Sequence, residues 1–223
     1  MDLADIRLAV QDHGYGTDTT DQQTRFINEA YREIHRARRW PFLEAIDTSS
    51  NTAAGTPSYA IPMSNWRNLD AVRLSWPADL TQNLMIDYME PQDLFDRQQN
   101  DPTVATPQYW TMYAQQLWFY PIPDQAYQIK IFYIIEPPDL ADDADVPLVP
   151  VAYHDLLVTG ALFRSAARQR DFINMELWQA KWGSDLRDLE EEYLIKQRQT
   201  SSQVKKSGYW STYIDYPLSS TGF

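Results

Sequence analysis

RFINEAYREIHRARRWPFLE, residues 25–44, holds five arginines and four aromatic residues in twenty positions and runs into a proline. Phe26, Ile27, Ala30, Tyr31 and Ile34 recur at three- and four-residue steps, the period of one helical face. Arg25, Arg32, Arg36 and Arg39 lie mostly off that face. The stretch therefore predicts a helix that buries an apolar stripe and keeps its cations elsewhere. Thr20 and Gln23 have capping-box spacing, which sets the start near Thr20. Arg39 is followed by Trp40 and Pro41, and the residue before a proline disfavours helix, so the helix ends there.

Working outward, residues 2–12 read as a short helix capped by Asp2, with Leu3, Ile6 and Val10 on one face and Gly14 and Gly16 breaking it. Downstream the composition changes. Twelve of the 14 prolines lie between Pro57 and Pro150, and short strand-like runs replace helical periodicity: 69–76, 84–89, 109–113, 117–120 and 127–135. Ala114-Gln115-Gln116 reads as a hairpin turn, and Tyr127, Ile129, Ile131, Tyr133 and Ile135 alternate as one sheet face should. Pro91 opens a short helix over 91–99.

Helical periodicity returns after Pro150. Tyr153, Leu156, Leu157, Gly160, Ala161 and Phe163 trace a face with small residues at its centre, which allows close helix contact. A further helix follows Asp171, with Met175, Trp178, Trp182, Leu186, Leu189 and Tyr193 at helical steps. The expected fold is α+β: an antiparallel four-helix bundle core from residues 1–44 and 150–198, a small antiparallel β module inserted at 45–149, and an extended C-terminal arm at 199–223. Nine of the arm's 25 residues are Ser or Thr, yet it carries Tyr209, Trp210, Tyr213, Tyr216 and Phe223. A polar string with bulky anchors reads as an arm that orders on a partner.

The balance of 19 basic and 31 acidic residues gives a formal charge of −12, against the basic footprint of a protein that grips phosphate backbones. The acid is unevenly placed: 136–145 carries five carboxylates and no base, whereas 25–39 holds five arginines against two glutamates. Separate acidic and basic faces suit head-to-tail contacts between copies. The chain has no cysteine, which excludes disulfides, thiolate metal sites and thiol nucleophiles. No run approaches the roughly 20 apolar residues of a membrane helix, and the first ten residues do not read as a signal peptide. A soluble chain in a reducing cytoplasm is the expectation.

No catalytic residue, metal site or cofactor is nominated. His13, His35 and His154 are far apart in sequence and match no metal-binding spacing, and P-loop, GxSxG and GxGxxG patterns are absent. Asp142, Asp143 and Asp145 could bind Ca²⁺ loosely, but the EF-hand spacing and its closing Glu are missing. Three readings stay open for Arg32, Arg36, Arg38 and Arg39: a solvated face with stems over apolar neighbours, a grip on carboxylates of a neighbouring subunit, or contact with DNA phosphate.

The stretch 25–44 also resembles the opening of tailed-bacteriophage head-to-tail adaptor proteins, the head-completion family. Arg25, Phe26, Ile27, Asn28, Ala30, Tyr31, Ile34, Trp40 and Pro41 stand at the matching positions. A second match runs over 117–161: strand, Pro-x-Pro, long strand, acidic proline-rich loop, then a helix opened by proline. The resemblance implies a structural virion protein forming a homo-oligomeric ring, commonly dodecameric. Such a ring sits beneath the portal protein, extends the DNA channel without binding DNA specifically, and receives a tail or nozzle protein below. It implies assembly in the bacterial cytoplasm and residence at the head–tail interface. Arg32, Arg36 and Arg39 would then face Asp142, Asp143 and Asp145 of a neighbour, and the aromatic arm would bind the portal. A tail terminator, a tube connector, a tail-associated glycan hydrolase and a DNA-binding scaffold are the rival readings.

Overall fold

The computed structural model describes residues 1–76 and 79–195; the aromatic residues of the arm lie outside them. Among the described residues are five α-helices: α1 (Leu3–Val10), α2 (Thr20–Ala37), α3 (Pro91–Asn100), α4 (Asp155–Gln169) and α5 (Phe172–Glu190). Ten strands accompany them. The first five are β1 (Glu44–Asn51), β2 (Ser58–Ala60), β3 (Trp66–Trp76), β4 (Asp79–Met85) and β5 (Asp87–Tyr88). The others are β6 (Val104–Ala105), β7 (Tyr109–Tyr113), β8 (Gln116–Tyr120), β9 (Ile122–Pro123) and β10 (Gln128–Ile135). They form three sheets, ordered β1-β10-β3-β4, β2-β8-β7-β5 and β6-β9. The expected four-helix core with one small β module is thus corrected to an α+β fold of five helices and three sheets. The strand content was underread because β1, EAIDTSSN, is a polar edge strand, and β2, β5, β6 and β9 are only two or three residues long.

The helices start and stop for local reasons. Asp2 accepts from the Asp5 backbone N–H at 2.9 Å while the Asp5 carboxylate reaches back to the Asp2 N–H, closing a capping box on α1. α1 runs on as a wide π turn over Gln11–Tyr15, where Gly14 supplies φ 91°. α2 is capped by Thr19 and Gln22, one residue earlier than the Thr20–Gln23 spacing suggested. It ends at Ala37, because Arg38 is already extended (φ −148°, ψ 167°) two residues ahead of the Trp40-Pro41 pair. Pro150 precedes a single 3-10 turn, Val151–Tyr153, before α4 begins.

Two buried clusters organise the chain. In the helical one, Leu3, Ile6 and Val10 of α1 and Phe26, Ile27, Ala30, Tyr31 and Ile34 of α2 meet α4. Every residue of α4 from Leu156 to Leu162 is buried, so α1, α2 and α5 surround it. In the other cluster, Val72, Leu74, Ile129 and Ile131 of the first sheet meet Trp110, Leu117 and Phe119 of the second. The two sheets pack face to face. α3 covers the outside of the second sheet, with Phe95 edge-on to Tyr113 and Trp118.

β10 joins the clusters. Ile129, Ile131 and the partly buried Tyr133 keep one face toward the sheet core as expected, while Ile134, on the opposite face, belongs to the helical cluster. The register against β3 slips between Phe132 and Tyr133 and again between Ile134 and Ile135. The residues skipped in the pairing, Asp70 and Arg67, lie on β3, so the bulges belong to that strand and β10 keeps its alternation. The run 84–89 likewise divides, with β4 in the first sheet and β5 in the second. The hairpin between β7 and β8 turns on Ala114 and Gln115, both at positive φ (49° and 61°).

Candidate assembly surface

The acidic segment that follows β10 runs back along α2 and is tied to it by neutral hydrogen bonds before any charge is counted. Asn28, buried on α2, donates from Nδ2 to the Leu140 carbonyl and accepts the Leu140 N–H at Oδ1, both at 2.9 Å. The Tyr31 hydroxyl accepts the Leu148 N–H at 2.8 Å. At the far end, Leu3 and Ala4 donate backbone N–H groups to the Asp145 and Asp143 carbonyls at 2.9 and 3.1 Å. Residues 136–149 thus form a strap across α1 and α2, with Leu140 and Val149 buried beneath it.

Charge is laid over that frame. Arg32 Nε lies 3.5 Å from Asp139, and Arg36 Nη2 lies 3.6 Å from Glu136. These guanidinium side chains stay 42% and 66% exposed, and pairs this open contribute about 0–1 kcal/mol each. Arg38 reaches Glu190 at 3.1 Å, and Arg39 bridges Asp70 at 2.6 Å and Glu44 at 3.2 Å. The arginines of α2 and of the two residues that follow it therefore brace the strap, α5 and the first sheet within their own chain. Of the three expected carboxylates, Asp143 pairs with Arg7. Asp145 accepts the Ala141 and Asp142 N–H groups at 2.7 and 2.8 Å, which hold its carboxyl below the usual range. Asp142 is exposed and has no ion pair among the described residues.

Sequence reading missed two anchors. Asn28 gave no signal beyond its place in the family resemblance, because a lone Asn in an amphipathic helix reads as solvent-facing. Arg164, 13% exposed, donates to the Gly160 carbonyl at 2.8 Å, pairs with Glu29 and Glu33 of α2, and lies over the rings of Phe163 and Trp182. Its position beside Phe163 on α4 was the available clue.

The histidines occupy three separate places. His13 stands edge-on to Trp178 with ring centroids 5.1 Å apart. His154, buried, bonds the Val149 carbonyl through Nε2 and the N-terminal amine of Met1 through Nδ1. His35 is 2% exposed against the Tyr31 ring. Burial, and secondarily the Arg67 guanidinium, pull its pKa from 6.5 down to about 4. Folding therefore excludes a proton that the unfolded chain binds below pH 6.5, so stability falls as the pH drops from 6.5 toward 4. The expected loss is about 3 kcal/mol across that window. Denaturant titrations at several pH values should show this loss in the wild type and a flatter profile in His35→Gln.

Among the described residues there is no group of three His, Cys, Asp or Glu side chains able to hold a metal, and no helix long and apolar enough to cross a membrane. What the surface does present is braced charge and, on α1 and α5, exposed apolar side chains. Over residues 1–206 the chain matches the family model described as SU10 adaptor protein, and it belongs to that family, a family of phage adaptors. Such adaptors are structural components of the virion and are typically non-enzymatic. No curated protein matches the chain.

Proposed function

We propose that the protein is the head-to-tail adaptor of its phage. Copies form a ring, dodecameric in this reading, beneath the portal protein; the ring extends the DNA channel and receives a tail or nozzle protein below. The family match across nearly the whole chain carries this reading. The physical features support it. A formal charge of −12 per copy, multiplied around a ring, disfavours tight adhesion of the DNA that slides through. The half-exposed guanidinium groups of Arg32, Arg36 and Arg39, with Asp142, Asp143 and Asp145, contribute to contacts between copies as well as bracing their own chain. Assembly takes place in the host cytoplasm, and the finished ring stays at the head–tail interface.

Residues 199–223 serve as the portal-binding arm, with Tyr209, Trp210, Tyr213, Tyr216 and Phe223 as its anchors. Many weak contacts acting together make such an attachment slow to reverse. Deleting 199–223 should leave the thermal unfolding midpoint unchanged and reduce retention on immobilised portal rings by tenfold or more, roughly one strong anchor's worth. Equal retention of the truncated and full chains would remove the arm from the account. Failure of the full chain to bind portal would favour a tail terminator or tube connector.

A further inference from the structure

α5 has two apolar faces where a peripheral helix with one partner has one. Met175, Trp178, Trp182, Leu186 and Leu189 pack on the helical cluster. Ile173, Leu177 and Ala180 follow one another at i, i+4 and i+7 on the opposite side of the helix, and all three face solvent. Ile173 is 85% exposed and Leu177 59%, with Phe172 beside them at 63%.

A second apolar patch lies on α1. Leu8 is 57% exposed on the side away from Leu3, Ile6 and Val10, and it lines a shallow groove with Ala4, Arg7, Gln11, Thr20 and Asp143. α1 and α5 both pack on α4, and the turn that extends α1 touches α5 through His13–Trp178 and Tyr15–Asp171.

The surroundings of the two patches differ in charge. Near Leu8, the exposed carboxylates of Asp5, Asp12, Asp21 and Asp142 have no ion pair among the described residues, and the groove's Arg7 is paired with Asp143. At the turn between α4 and α5, the exposed Arg170 also has none among them, and it stands two residues from Phe172.

We propose that the α5 stripe of one copy seats on the Leu8 groove of the next, with Arg170 meeting the carboxylates around that groove. The occupant of the stripe is a second copy of this chain. The two patches are different, so the contact is head-to-tail, the kind that closes into rings. An apolar centre with a charged rim is the usual anatomy of such a contact. Opposite charge at the rim fixes which way round the copies join. This inference rests on the ring reading above and names the surfaces that build the ring.

The chain has no cysteine, so an introduced pair is the only thiol chemistry present. The full-length double variant Leu8→Cys/Leu177→Cys is assembled on portal rings, oxidised, and run on a denaturing gel. The expected result is a ladder of covalent oligomers reaching ring size, with each single-cysteine variant staying monomeric. Dimers from Leu177→Cys alone would show the stripe pairing with itself and overturn the proposal. Rings seen by electron microscopy without a ladder would overturn it while leaving the adaptor reading intact. Absence of rings in the wild type would overturn that reading and the proposal with it. Ile173→Glu/Leu177→Glu gives a check that needs no disulfide geometry. Both side chains are exposed, so circular dichroism and thermal midpoint should match the wild type while ring yield falls about tenfold or more. Unchanged ring yield, or rings that form normally but fail to hold portal, would assign the stripe elsewhere and sink the proposal.

Discussion

Replacing Gly160 by leucine should leave no folded protein at ordinary temperature. α4 crosses α2 so closely at this point that a Cβ on Gly160 would lie 2.6 Å from the Ala30 Cβ and 3.0 Å from Trp182 Nε1. Trp182 is a side chain that can turn; Ala30 cannot yield without moving α2. The α2 backbone is held in turn by the Asn28 bonds to Leu140 and by Arg164 through Glu29 and Glu33. Glycine at a helix interior costs about 1 kcal/mol relative to alanine, a cost the close crossing offsets. Gly160→Ala should cost about 2–3 kcal/mol, in the range of overpacked cores, and Gly160→Leu more than about 4 kcal/mol. Urea denaturation followed by circular dichroism measures both. The diagnostic case is Gly160→Ala/Ala30→Gly, which removes the opposing methyl and should recover most of the loss. If the second change recovered nothing, the close crossing would not be the reason for glycine.

The second large effect is expected at Asn28. Its amide satisfies both the N–H and the C=O of Leu140, whose side chain is 5% exposed beneath the strap. Asn28→Leu keeps the branched outline and deletes the polar partners, leaving two backbone groups buried and unpaired. At about 1–3 kcal/mol for each such group, the expected loss is about 4 kcal/mol. Loss of the pairing should also free the strap locally, so amide hydrogen exchange at Leu140 and its neighbours should accelerate more than exchange in the sheet cluster. Asn28→Asp tests the same point more gently, since its carboxylate can still accept the Leu140 N–H but cannot donate to the carbonyl. Uniform exchange across both clusters, or a loss below about 1 kcal/mol, would show that the strap is held by its ion pairs instead.

How legible this was in the sequence differs by element. α1 and α2 were readable because their caps and stripes are local: Asp2 sits where a cap is needed, and Phe26, Ile27, Tyr31 and Ile34 keep strict helical steps. Gly160 and Ala161 announced the close crossing in the same way. β7, β8 and their turn were readable from aromatic alternation. The paired sheets were not. β1 is a polar edge strand whose membership depends on pairing with β10, β2 and β5 form on the free edges of the longer β8 and β7, and β6 and β9 pair with each other over two residues. The bulges of β3 at Asp70 and Arg67 were equally hidden, since they exist only in its pairing with the regularly alternating β10. The charge clusters of α2 and 136–145 were visible as composition. Their approach within one chain depends on Asn28 and Tyr31, neutral residues that no charge pattern marks. The apolar outer stripe of α5 escaped notice because the inner stripe, rich in Trp, accounted for the helix by itself.

The central claim is that this chain works by position, as one unit of a collar under the portal. Cryo-electron microscopy of purified phage, focused on the unique vertex, tests it most directly. The account predicts a ring of density below the portal into which the helical layer and paired sheets fit, with α5 of each copy against α1 of the next. A vertex whose density beneath the portal admits no copy of this fold would contradict it.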